Sequence, residues 1–307
     1  MVRFVVATCA THECGYLKSL SESCSKQDYE FHIFGFGMEW KGFMWGVQMV
    51  LDGLNSLGLQ EDDLVLVVDG FDCLMCMNSS SLHEIYLQFC IQEGKDIVVI
   101  GKEHPKEESS FLHKLTVRKI SQRLYDGGFG TDSDTLNTGS VLGSWKVMSS
   151  FIDSLIQFSK WKEIDDDQVC VNRYFLQEKP DVPLKVDEDS IFFCYCERNM
   201  IFLIIFFLWN RNKLKHVSNT ISFNKDGKLI RVKKDVQVAV LHGIWNTDMD
   251  WVCKEMGLSH RKESSYLKPF SQIHLRKTSD LFVKAFHLLA TSATFYFVWD
   301  IVHRIHF

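Results

Sequence analysis

Proline is scarce in this chain, at 4 residues in 307, and no repeat or low-complexity run appears. Long disordered linkers and Pro-rich spacers are therefore excluded. Positive charge is not in excess either: 34 Lys and Arg face 39 Asp and Glu, for a net charge of −5. That leaves no global basic field for a nucleic-acid partner. The 10 cysteines lack the paired spacing of a structural zinc site. Cys73 and Cys76 form a lone CxxC, and Cys194-x-Cys196 is too tight to supply the second half. Buried free thiols are the expectation. No secretory pattern opens the chain, since MVRFVVATCA is short and meets His12 and Glu13 at once. It reads as a first strand, and a reducing, cytoplasmic setting without disulfides is expected. What is abundant is apolar material, 46% hydrophobic and 13% aromatic, enough for one large core or two smaller ones.

Apolar runs alternate with helical periodicity along the first two thirds. RFVVATC, EFHIFGFG, LVLVV and DIVVIG read as strands. FMWGVQMVLDGL sets Phe43, Met44, Val47, Val50, Leu51 and Leu54 on one helical face, SLHEIYLQFCI is helical, and WKVMSSFIDSLIQF is an amphipathic helix through Val147, Phe151, Ile152, Leu155 and Ile156. The strand–helix–strand order predicts an α/β protein with a mostly parallel sheet covered on both faces. Ligands of such sheets bind beyond the carboxyl ends of the strands.

In LVLVVDGFD a buried strand runs straight into Asp69 and Asp72. Two uncompensated carboxylates inside a core would cost several kcal/mol each, on the order of the usual burial penalty. Just past a strand end they remain partly hydrated and suit a hard divalent cation. Asp-Gly is also ordinary turn chemistry, so the pair alone leaves both readings open.

Three further stretches add to this pair. TLNTGSVLGSW has Asn137 and Gly139 ahead of an apolar strand, IDDDQVCVNRYF sets Asp165, Asp166 and Asp167 before a helix, and VAVLHGIWNTD ends a strand in His242-Gly243. Together with VATCAT, GFGMEW, VVDGFD and GKEHP, in that order, they resemble the glycosyltransferase domain of the procollagen lysyl hydroxylases over about residues 2 to 258. The resemblance implies a GT-A fold, a divalent metal (usually Mn2+) and a UDP-sugar donor whose hexose passes to a hydroxyl acceptor. It implies Asp69, Asp72 and His242 as metal ligands. Thr8, Trp40 and Phe71 would hold the nucleoside, and Gly243 would lie by the diphosphate. Glu103, Asn137, Asp165, Asp166 and Asp167 match the sugar and acceptor side.

The chain also departs from the family pattern. Met49 stands where a lysine is expected, Phe71 where a tyrosine is expected, and HGIWNT replaces a glycine-rich HGNG-type stretch. Those departures keep a non-catalytic GT-A-like interaction protein as an alternative. An aspartate-dependent phosphotransferase is a second alternative, although it generally uses Asp-x-Asp where this chain has Asp-x-x-Asp. About fifty residues after position 258 cannot build a separate hydroxylase domain. MIFLIIFFLW (200–209) reads as a buried strand or interfacial anchor. Residues 259–307 read as an appended helical segment whose aromatic face would meet a membrane surface or a partner.

Overall fold

A computed structural model describes residues 2–102, 136–178, 182–195, 221–232, 234–243 and 247–262. Glu103, the 200–209 run and the segment beyond 262 lie outside these residues. Among the described residues no helix is long and apolar enough to cross a membrane.

The main sheet has six strands: β1 (Phe4–Cys9), β2 (Glu30–Phe34), β3 (Leu64–Val68), β5 (Val98–Lys102), β6 (Leu136–Ser144) and β7 (Leu184–Val186), in the order β2-β1-β3-β6-β5-β7. β1 runs parallel to β2 and β3, and β5 parallel to β7. β6 is antiparallel to both its neighbours. The predicted mixed α/β architecture is present, with this reversal that the sequence pattern did not reveal. The reversal matters: it brings the amino end of β6 to the edge where β3 ends. Asn137 and Gly139, expected ahead of the strand, lie inside it.

Strand alternation divides the core. Val5, Ala7 and Val65 point to one face, where they pack with α2 (Phe43–Ser56), α4 (Trp145–Lys162) and α5 (Asp167–Glu178). Val6, Leu64, Leu66 and Val68 point to the other, against α1 (Leu17–Lys26) and α3 (Ser79–Glu93). Each fully buried aliphatic side chain contributes about 1.5–3 kcal/mol. Continuous β-branched and leucine runs therefore belong to strands covered on both faces. The face predicted for α2 is buried at Met44, Val50, Leu51 and Leu54, but Phe43 is exposed. It starts the helix and meets Trp40 edge to face instead. Helix α3 begins where the Asn78 side chain accepts from the Ser81 amide at 2.8 Å, and it ends at Gly94, which takes the left-handed conformation.

Two smaller sheets complete this part of the chain. One is β4 (Cys73–Met75), β12 (Val240–His242) and β8 (Phe193–Tyr195), in the order β4-β12-β8. The other is antiparallel: β9 (Ile221–Phe223), β10 (Leu229–Arg231) and β11 (Val236–Gln237). A third core cluster joins both to the short helix α6 (Asp250–Glu255) through Leu74, Leu229, Leu241 and Val252. All nine described cysteines are free thiols; seven are buried, as expected, and Cys9 and Cys90 are partly exposed.

Candidate active site

Asp69 follows directly on β3, and Asp72 immediately precedes β4. Between them the chain turns at Gly70, and a Cβ there would come within 2.8 Å of Thr8 Oγ1. That hydroxyl is buried and makes no hydrogen bond among the described residues. His242 ends β12, 170 residues after Asp72, yet its Nε2 lies 3.3 Å from Asp72 Oδ1 and 3.5 Å from Asp69 Oδ2. The pairing of β12 with β4 brings this about, because it sets His242 directly opposite Cys73. The Gly243 amide then donates to the Asp72 carbonyl at 2.7 Å and fixes the turn. On the other side of β12, Tyr195 is paired with His242, and the two rings sit 5.3 Å apart.

β6 forms the floor. The Asp69 amide donates to the Gly139 carbonyl at 3.1 Å, and a Cβ on Gly139 would collide with both the His242 ring and the Asp69 carboxylate. Only glycine lets the strand pass this close. Asn137 is buried, and its Oδ1 accepts from the Gly139 amide at 2.9 Å, so it shapes the floor.

The three acids of IDDDQ part ways. The Asp165 carboxylate lies against Gly42 at the amino end of α2, and the Met44 amide donates to the Asp165 carbonyl at 3.1 Å. Asp166 caps α5, its Oδ1 accepting from the Val169 amide at 2.8 Å. Asp167 lies beside Thr138 of β6, and its charge is felt at Asp69. Helix α5 is tied to the start of β6 by Gln168, which contacts the Leu136 carbonyl and accepts from Thr138, and by Asn172, which exchanges hydrogen bonds with Leu136.

Trp40 is 45% exposed and packs edge to face on Trp45, over Gly46 of α2. Phe71 leans on His12 with ring centroids 5.6 Å apart, and its carbonyl accepts from the Tyr16 amide at 2.8 Å. Trp40 stands in the loop between β2 and α2, and Phe71 in the same turn as Asp69 and Asp72.

The electrostatics are strained. Loss of water and the neighbouring Asp72 push the Asp69 pKa up to about 7; His242 opposes this, and Asp167 adds to it. Because the Asp69 side chain remains 56% accessible, crowding of like charge is the cause that a cation would remove. Burial raises Asp167 to about 6, against a hydrogen bond from Thr138 and with Asp166 adding to the rise. Asp72 Oδ1 is itself buried without a hydrogen-bond partner among the described residues. A crowded acid group with an orphaned oxygen, an imidazole at its edge and a glycine floor fits a divalent cation.

The structure brings Asp69, Asp72 and His242, the expected ligands, together. It also brings in Tyr195, Thr138 and Gln168, which the sequence motifs did not single out, and Cys73, noted there only as half of a lone CxxC. Cys73 and Tyr195 become visible only through the register of two three-residue strands.

The family model of the PLOD GT domain, the glycosyltransferase domain of the procollagen lysyl hydroxylases, matches residues 2–220. The chain belongs to this family. The matched residues include Thr8, Trp40, Asp69, Asp72, Asn137 and the IDDDQ acids, while His242 and Gly243 lie beyond them. No curated protein matches the chain. Among solved structures, similarity is found to a glycosyltransferase involved in the glycosylation of the major capsid of PBCV-1. Identity is 12% and the TM-score 0.39, covering 78% of this chain and 93% of that one. A protein from STIV is similar at 14% identity and a TM-score of 0.30, over 48% of this chain and 67% of the other.

Proposed function

We propose that this PLOD GT domain is a GT-A-type, metal-dependent glycosyltransferase that moves a hexose from a UDP-sugar to a hydroxyl acceptor, such as a hydroxylysine-like peptide or a glycan. The observation that carries this reading is the convergence of Asp69, Asp72 and His242 at the carboxyl edge of the main sheet. These residues would hold the cation, with Mn2+ the ion that the family resemblance implies. When bound, the cation supplies positive charge for the diphosphate that leaves as the glycosidic bond breaks.

The remaining roles belong to the chain itself. Trp40 offers a half-exposed indole face to a uracil, Thr8 an unused buried hydroxyl, and Phe71 an apolar edge. Gly243 keeps the backbone low beside the phosphates. Asp167, with proton affinity raised toward neutrality, is suited to accept the proton of the acceptor hydroxyl. Asn137 and Asp166 act as positioning groups for the floor and for α5, and Asp165 for the start of α2. Glu103 is assigned to the sugar side on the resemblance alone. Family membership favours glycosyl transfer over phosphotransfer.

The test is to incubate the chain with a panel of UDP-sugars, Mn2+ and hydroxylysine peptides or glycans, following UDP release and product mass. Activity with at least one donor is expected, with Asp72→Ala lowering it by at least about 100-fold, the scale of a lost electrostatic stabiliser. Failure to bind UDP with or without a divalent cation would overturn the proposal.

A further inference from the structure

The donor atoms at this site include sulfur. Asp72, Cys73 and His242 can each present one ligand atom such that all three lie within 4.8 Å of one another. The register explains the third member. Cys73 and His242 are a directly opposed pair in the antiparallel β4–β12 ladder, so their side chains leave the sheet on the same face. Cys73 is fully buried, and its thiol rests 3.5 Å from the Gly139 carbonyl, the same backbone segment that floors the acids. The buried Asp72 Oδ1 has no hydrogen-bond partner among the described residues and lies 3.3 Å from His242 Nε2. One carboxylate, one thiol and one imidazole around a common point, with Asp69 beside them, make three protein ligands with a position left over.

We propose that Cys73 is a ligand of this cation site, and that the site takes a thiophilic divalent ion such as Zn2+ or Co2+ in preference to Mn2+. The inference rests on the metal-dependent reading of the site and changes the metal it selects. Thiolate and imidazole donors favour zinc and its neighbours, whereas Mn2+ prefers an all-oxygen or oxygen-rich set. On binding, the S–H bond of Cys73 breaks, a sulfur–metal bond forms, and the proton leaves to solvent. The hydrogen bond from the thiol to Gly139 is given up at the same time.

Co2+ is the probe, because a cobalt–thiolate bond gives a near-ultraviolet charge-transfer band that oxygen and nitrogen ligands do not. The 307-residue chain is titrated with Co2+, then with Zn2+ to displace it. The expected result is a charge-transfer band in the wild-type chain that is absent in Cys73→Ser. Zn2+ affinity should fall at least about tenfold in the variant, the least expected when a ligand is lost, with Mn2+ affinity changing much less. If Cys73→Ser does not fold, Cys73→Ala takes its place, because nine other cysteines could give a band in the wild-type chain. Visible cobalt bands without charge transfer would overturn ligation by Cys73 and leave the Asp–His cation site standing. No spectral change and no thermal shift with Co2+, Zn2+ or Mn2+ would overturn both.

Discussion

At the scale of single residues, three consecutive aspartates show how little identity says about role. Asp165 sits at the amino end of α2, Asp166 caps α5, and Asp167 is half-buried beside Thr138 with a pKa pushed up to about 6. Asparagine caps a helix about as well as aspartate, so Asp166→Asn should keep both stability and turnover, while Asp166→Ala should cost ~1 kcal/mol. Asp167→Asn should lower turnover by roughly 100-fold or more while leaving UDP binding intact, as loss of a general base does. Urea titration and steady-state kinetics on the three variants separate these roles. Equal kinetic losses in Asp166→Asn and Asp167→Asn would show that the two acids act together. The sequence contained all three acids but not their division of labour, because a one-residue step at a helix start rotates a side chain by about 100°. Gly139 was legible as a motif glycine. That it is glycine because His242 and Asp69 press on it depends on a contact between residues 103 positions apart.

At the scale of elements, legibility followed length. α2 and α4 carry long periodic signals and β3 an unbroken apolar run, and each lies where its apolar pattern predicted. β4, β8 and β12 have three residues each, too short for a period, and their pairing decides which residues face His242. The direction of β6 was hidden for a related reason: a buried strand reads as an apolar run whichever way it points. Asp187 shows a local device that no hydrophobic period carries. It follows β7, is buried, and accepts the amides of Ile191, Phe192 and Phe193 at 2.8 Å, which sets the entry to β8. Burial raises its pKa from the ordinary 3.8 to about 6, although those amides and Arg231 pull it down. The fold then holds a proton that the unfolded chain has already released between about pH 4 and 6. The stability contributed is complete below that window and is lost as pH rises through it. Urea midpoints should therefore fall from pH 4 to 6, and Asp187→Asn should flatten part of that fall, on the order of 1–3 kcal/mol. The variant should also be weaker at every pH, since one amide oxygen cannot serve three N–H donors. An unchanged slope would remove Asp187 as its source.

At the scale of the whole molecule, the site is assembled from the β3–β4 turn, the end of β12, the start of β6 and the first turn of α5, which the chain order keeps far apart. Without a cation this assembly concentrates carboxylates, which should repel. Asp72→Ala should therefore lower the melting temperature of the metal-free protein little, because relief of the crowding at Asp69 offsets the lost contact with His242. With ligands the two should differ. A ligand that binds only the native state at 100 times its Kd adds about 2.7 kcal/mol, which for a domain of this size is roughly 5–10 °C in melting temperature. UDP alone should shift the wild-type chain little. If Asp69, Asp72 and His242 hold a cation, UDP with a divalent cation should shift it by more than the sum of the two alone, because the ion would screen the diphosphate from the carboxylates. Asp72→Ala should retain the small UDP shift and lose the cooperative part. Differential scanning fluorimetry over the four ligand conditions measures this directly. A UDP shift of full size without cation, equal in wild type and Asp72→Ala, would mean that the nucleotide is held by the aromatic loops alone and that the acids at the strand ends serve the turn rather than the donor.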